Sequence, residues 1–201
     1  MRAFKKGNCP DFLEKKWQEW GQRYAANRAA TPNHKFQWPT HEGVRINQSL
    51  EPLLGNDTQT HCSYCDNFPI REQEDSIDHF KPKSIPAFYE LVCHWHNLYY
   101  CCENCQKSRW EVYDDLLLRP DAADYSFDSY FVYNFQTNKL DISPAADDIA
   151  KLRAIYTIDK FGLNSPKSAD SRRISYERFE NAKLAGKDIV IDDYAFRFMF
   201  D

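Results

Sequence analysis

The sequence predicts an α+β protein with helical outer segments around a mixed, cysteine-rich centre. Three observations lead there. Apolar residues recur at helical spacing near both ends of the chain. A β-branched and aromatic run, Tyr130-Phe131-Val132-Tyr133-Asn134-Phe135, precedes the turn-like Gln136-Thr137-Asn138-Lys139. Four of the seven cysteines form two close pairs within residues 61–110.

The elements follow in order. In 10–30, Pro10 suits a helix start, and Phe12, Leu13, Trp17, Trp20 and Tyr24 share one face until Ala29-Ala30-Thr31-Pro32-Asn33 breaks the pattern. A short helix is expected over 48–54, ending at Gly55-Asn56. Short strands or a hairpin are expected within 112–140. Ile149, Leu152, Ile155, Tyr156 and Ile158 mark a helix over 147–161, stopped by Gly162. A last long helix starts at Ser165 or Lys167 and runs to about Gly186, and a short one can begin at Asp192. The expected division is 1–56, an N-terminal helical extension; 57–125, a stapled core; and 126–201, short strands and helices.

Composition bounds the function. Of the 201 residues, 42% are apolar and 15% aromatic, enough for a core without covalent help. Only 6 are glycine, and no repeat or low-complexity tract is present, which argues against a disordered chain or a solenoid. No run of 18 apolar residues occurs, and no apolar stretch follows the charged Met1-Arg2-Ala3-Phe4-Lys5-Lys6. The expectation is therefore a cytoplasmic protein with no membrane span, whose cysteines are ligands or thiols rather than disulfides. The net charge of −4 does not mark a nucleic-acid binder. Residues 2–28, however, carry seven Lys/Arg against three Asp/Glu, and 167–187 carry six against three. Such flanks suit a phosphate backbone, and equally suit solvated helix faces.

Cys62-Ser63-Tyr64-Cys65 and Cys102-Glu103-Asn104-Cys105 stand with 36 residues between the pairs. Two pairs at this spacing supply four thiolates to a tetrahedral zinc at about 2.3 Å per bond. Four thiolates leave no place for water, so Zn²⁺ here is structural. A redox dithiol is the alternative for either pair alone. Cys9, Cys93 and Cys101 lie outside the spacing. His61 can substitute as a ligand but is not needed.

Between the pairs lie Asp78-His79-Phe80-Lys81-Pro82-Lys83 and Trp95-His96-Asn97-Leu98. After them come Gln106-Lys107-Ser108-Arg109 and Leu118-Arg119-Pro120-Asp121. Together with Cys-x-Tyr-Cys and Cys-x-x-Cys, this set resembles the HNH (ββα-metal) endonuclease family. It is most similar to the small HNH proteins of Septu-type and retron-associated antiphage systems, the PtuB kind. The resemblance covers about residues 60–175, including Ile158, Gly162-Leu163-Asn164 and Arg172.

The resemblance implies a ββα-metal core with a four-cysteine zinc site, and phosphodiester hydrolysis of nucleic acid, DNA foremost with RNA open. It implies His79 as general base, Asp78 as ligand of a catalytic Mg²⁺ or Mn²⁺, and Asn97 as a brace for the His79 loop. The position after the last cysteine is usually Asn or His and ligates that ion; here it is Gln106, one methylene longer than Asn. Arg109, where Lys is common, is expected to grip substrate phosphate, with Lys81 and Lys83 beside it. The resemblance also implies an ABC/SMC-like ATPase partner, since this chain has no Gly-x-x-x-x-Gly-Lys-Ser/Thr loop of its own. Docking candidates are the aromatic face of the first helix (Phe12, Trp17, Trp20, Tyr24) and the run Tyr194-Ala195-Phe196-Arg197-Phe198-Met199-Phe200, for which packing on the chain's own core is the alternative. A rival reading is a zinc-stapled adaptor that binds nucleic acid or the ATPase without cutting.

Overall fold

The computed structural model describes residues 1–70 and 76–200. Its centre is a two-stranded antiparallel hairpin, β3 (Ile77–His79) against β4 (Leu98–Tyr100), in the register Ile77↔Tyr100, Asp78↔Tyr99, His79↔Leu98. Successive strand residues point to opposite faces, and the packing obeys that rule. Ile77 and Leu98 join one buried cluster with the N-terminal helices, while Tyr99 joins another with the cysteines and the C-terminal half.

On the first face lies α1 (Asp11–Ala30), with Pro10 as its N-cap. Leu13, Trp20 and Tyr24 are its buried stripe. It packs on the 3-10 segment Pro86–Leu91 at Gly21, where an added Cβ would stand 2.0 Å from the Glu90 carbonyl oxygen. A small hairpin, β1 (Thr40–His41) and β2 (Val44–Arg45), turns at Glu42-Gly43 with φ of 50° and 81°. Positive φ at both positions is what a tight two-residue hairpin turn demands. The chain then enters α2 (Ile46–Asp57), which is longer at both ends than its sequence pattern suggests. Ile46, Leu50 and Leu54, one turn apart, bury that helix's inner face and carry it past Pro52.

On the second face, α3 (Glu103–Arg109) follows β4 directly, completing a β–β–α succession. A one-turn helix α4 (Phe127–Tyr130) leads into the expected hairpin, β5 (Phe131–Asn134) with β6 (Lys139–Ile142). Asp147 caps α5 (Asp148–Lys160) by accepting from the Ala150 N–H, and Ser165 caps α6 (Pro166–Leu184) by accepting from the Ser168 N–H. Among the described residues no helix is long and apolar enough to cross a membrane.

Both docking candidates of the sequence turn inward. The run after Tyr194 is buried through Met199. Arg197 reaches Asp66 at 2.7 Å, its backbone N–H donates to Asp66 Oδ2 at 2.6 Å, and the Phe196 N–H donates to the Asp66 carbonyl. The apolar run thus closes over the loop that follows Cys65, because its rings gain more by joining the core than by facing water. Trp20 and Tyr24 are likewise core residues, with Phe12 and Trp17 packed beside them.

Candidate active site

The cysteine cluster forms because two turns present their sulfurs to one point. In the first, the Asp66 N–H donates to the Cys62 carbonyl and Asp66 takes the left-handed conformation that ends the turn. In the second, Cys102 is the N-cap of α3 and Cys105 lies in its first turn. The Sγ atoms of Cys62, Cys65, Cys102 and Cys105 all lie within 4.8 Å of one another, and Cys65 and Cys102 are 3.6 Å apart. Sulfurs around a tetrahedral zinc stand about 3.8 Å apart, so the four residues fit that ion. The Cys102 N–H also donates to Cys62 Sγ at 3.4 Å.

Without a cation the cluster cannot hold four negative charges. Hydrogen bonds from neighbouring thiols outweigh burial and bring Cys62 well below the ordinary thiol range. The same neighbours push Cys65 and Cys105 well above it. A dication removes that conflict, which is how metal binding and folding become one event. Cys101 is a fifth buried sulfur beside the cluster, donating to the Cys102 carbonyl. His61 is not part of the cluster: its ring nitrogens stand 2.7 Å from the Gln59 carbonyl and 3.1 Å from the Tyr194 carbonyl, and it stacks on Phe68.

Asp78 and His79 are neighbours in sequence but point to opposite faces of the hairpin. Asp78 faces the cysteine side. Arg109 Nη2 lies 2.7 and 2.8 Å from its two carboxylate oxygens, and the Tyr64 hydroxyl donates at 2.9 Å. The Tyr64 phenol stays protonated, because burial and the Asp78 charge both push its pKa well up. The same guanidinium donates to the carbonyls of His79, Phe80 and Val112. Arg109 is 2% exposed. In this conformation it organises the end of β3 instead of facing solvent, where a substrate phosphate would lie. Its placement has a simple origin: Arg109 stands one helical turn after Cys105, so the fourth thiol and the guanidinium share the buried face of α3.

His79 faces the α1 side and is 5% exposed. Its Nε2 lies 2.9 Å from the Val92 carbonyl. A carbonyl only accepts, so Nε2 carries the proton and Nδ1 keeps the lone pair. Trp38 stacks on the ring at 5.3 Å and 22°, and Phe36 meets it edge-on at 5.4 Å and 83°. Burial, followed by the nearby Lys83 charge, brings the imidazole down to about 3, so it is neutral at physiological pH.

Asn97 is fully engaged in the loop between the strands. Its Oδ1 accepts from the Lys81 N–H at 2.7 Å, and its Nδ2 donates to the carbonyls of Lys81 and Leu91 at 3.1 Å each. That arrangement pins the turn after His79 to the 3-10 segment. Lys83 is tied to α1 through its carbonyl, which accepts from the Tyr24 hydroxyl at 2.9 Å. The Lys81 ammonium lies over the Phe88 and Tyr113 rings.

Gln106 Nε2 donates to the Cys101 carbonyl at 3.3 Å. In this arrangement both Asp78 carboxylate oxygens are engaged, Oδ1 and Oδ2 by Arg109 and Oδ2 also by Tyr64. Among the described residues the four cysteines make the one group of three or more ligand-bearing His, Cys, Asp or Glu side chains. Sequence reading did not anticipate Tyr64, Phe36 and Trp38 around the Asp-His pair. Tyr64 had a signal, lying inside the cysteine knuckle that packs on β3.

No protein-family model matches the chain. It is 26% identical over 94 residues to the Septu protein PtuB of Bacillus mycoides (strain KBAB4). That alignment covers 41% of this chain and 30% of that protein's length. The fold is thus a mixed α+β arrangement around a cysteine cluster suited to a metal, in a chain distantly related to Septu protein PtuB.

Proposed function

We propose that the chain is an HNH (ββα-metal) endonuclease, the cutting component of an antiphage system governed by an ABC/SMC-like ATPase. DNA is its first-choice substrate. The observation that carries the reading is the β3–β4–α3 succession, with Asp78-His79 ending β3, Asn97 bracing the following loop and the cysteines stapling hairpin to helix. The similarity to a Septu protein supports the defence setting and the ATPase partner.

In this reading His79 is the base. Val92 fixes its tautomer so that Nδ1 takes a proton from the attacking water, and contact with solvent returns its basicity toward the ordinary histidine range. Arg109 and Asn97 are positioning residues that fix the backbone on either side of His79. Lys81 and Lys83 border the same loop and supply positive charge toward a phosphate backbone. With Asp78 paired to Arg109, the conformation corresponds to a resting state.

The Asp78–Arg109 pair also favours a second reading, a zinc-stapled adaptor that binds nucleic acid or the ATPase without cutting. Plasmid nicking with Mg²⁺, Mn²⁺ or EDTA, with and without the ATPase, separates the two. Metal-dependent nicking that His79→Ala abolishes supports the nuclease. A wild-type protein that shifts DNA on a gel yet never nicks it, with the ATPase present, establishes the adaptor.

A further inference from the structure

The connection from α1 to β1 lies across His79, and its construction differs from the rest of the fold. Phe36 is wedged between Tyr24 (5.4 Å), Trp38 (5.0 Å) and His79 (5.4 Å), and Trp38 covers the flat face of the imidazole. Phe36 and Trp38 turn inward while Lys35 and Gln37 alternate outward, as in an extended strand laid over a surface. Among the described residues none makes a backbone hydrogen bond with residues 35–38. The stretch hangs between two turns, one at Pro32-Asn33 and one at Glu42-Gly43. It is anchored at one end by Arg28, which donates to the His34 carbonyl, and at the other by the Ile46 N–H, which donates to the Pro39 carbonyl. Between it and α1 runs an open groove of about 560 Å³ lined by Lys16, Arg23, Asn27 and Gln37 among others.

Aromatic contacts alone therefore hold the middle of the connection down. Aromatic pairs add about 0.5–1.5 kcal/mol each beyond the area they bury, so lifting this segment breaks a few such contacts and no hydrogen-bond ladder. Segments of this kind populate the low end of local stability. We infer that residues 34–40 are an inhibitory strap whose Trp38 and Phe36 rings shut His79 away from water and substrate, and that displacing the strap opens the site. The inference rests on the nuclease reading for its functional meaning, and on the ring geometry alone for the closure itself.

The test uses the full-length zinc-loaded protein and its Trp38→Ala, Phe36→Ala/Trp38→Ala and Trp38→Phe variants. Diethyl pyrocarbonate modification of each histidine is followed by peptide mass spectrometry, in parallel with plasmid nicking by the isolated chain. His79 modification is expected to rise about tenfold or more in the alanine variants and to stay slow in Trp38→Phe. His61, buried elsewhere, is expected to stay slow throughout. Unchanged His79 reactivity in the double variant overturns the strap, as does an equal rise at His61, which would mean general loosening. A rise at His79 with no nicking under any metal, also when the ATPase is added, leaves the strap standing and removes the nuclease reading instead.

Discussion

The cysteine cluster and the Asp78–His79 pair lie on neighbouring parts of one β–β–α unit, yet they are finished in opposite ways. The four sulfurs are drawn from two distant turns, face one another and need a dication to reconcile their charges. Asp78 and His79 are adjacent in sequence, face apart, and already have protein partners on every side. A structural centre is complete once its ion binds. In the nuclease proposed above, Asp78 and His79 have to lose a partner before they can act. α3 joins the two regions, because Cys105 and Arg109 share its buried face.

That linkage orders the expected effects. The largest follows zinc removal. Structural zinc contributes about 10 kcal/mol or more to small domains. Cys105→Ser or exhaustive chelation is therefore expected to abolish the cooperative thermal transition, as read by circular dichroism beside zinc content. A chelated protein that melts as the wild type does would break the comparison. Next is the Arg109 pair. Arg109→Leu leaves Asp78 buried and uncompensated and is expected to cost about 3–5 kcal/mol in urea unfolding at fixed zinc occupancy. A change under about 1 kcal/mol would mean that the pair does not shape the end of β3. Gly21→Ala comes third: its Cβ meets the Glu90 carbonyl backbone, and the overpacking is expected to cost about 1–3 kcal/mol.

The effect that is smallest at neutral pH is the acid response of His79. Its pKa is lowered in the fold, so its neutral form is the stable partner of the native state. Its contribution is fully present above the ordinary histidine value and is lost as pH falls from there toward about 3. The loss is expected to reach about 1.4 kcal/mol per pH unit, and His79→Leu should flatten the urea-midpoint slope between about pH 6.5 and 5. An equal slope in both proteins would show that the ring is not buried in solution.

The cysteine centre was the most legible part of the sequence, because paired spacing is a local signal and each pair needs only its own turn. The helices capped by Asp147 and Ser165 and the β5–β6 hairpin were legible for the same reason. The surroundings of Asp78 and His79 were not. Trp38 lies far before His79 in the chain, and an aromatic ring carries no mark of what it will cover. The burial of Arg109 had a faint signal in its one-turn offset from Cys105, but arginine is more often exposed. The C-terminal aromatic run was ambiguous because partner docking and self-packing use the same residue types; the Asp66–Arg197 contacts decide for self-packing.

The central claim concerns His79, and a nicking time course on supercoiled plasmid tests it most directly. Wild-type and His79→Ala proteins would be compared at equal zinc content, each with the ATPase and Mg²⁺ or Mn²⁺. Metal-dependent nicking is expected of the wild type, with a loss of about 10²-fold or more in the variant. Equal rates in the two proteins would contradict the claim.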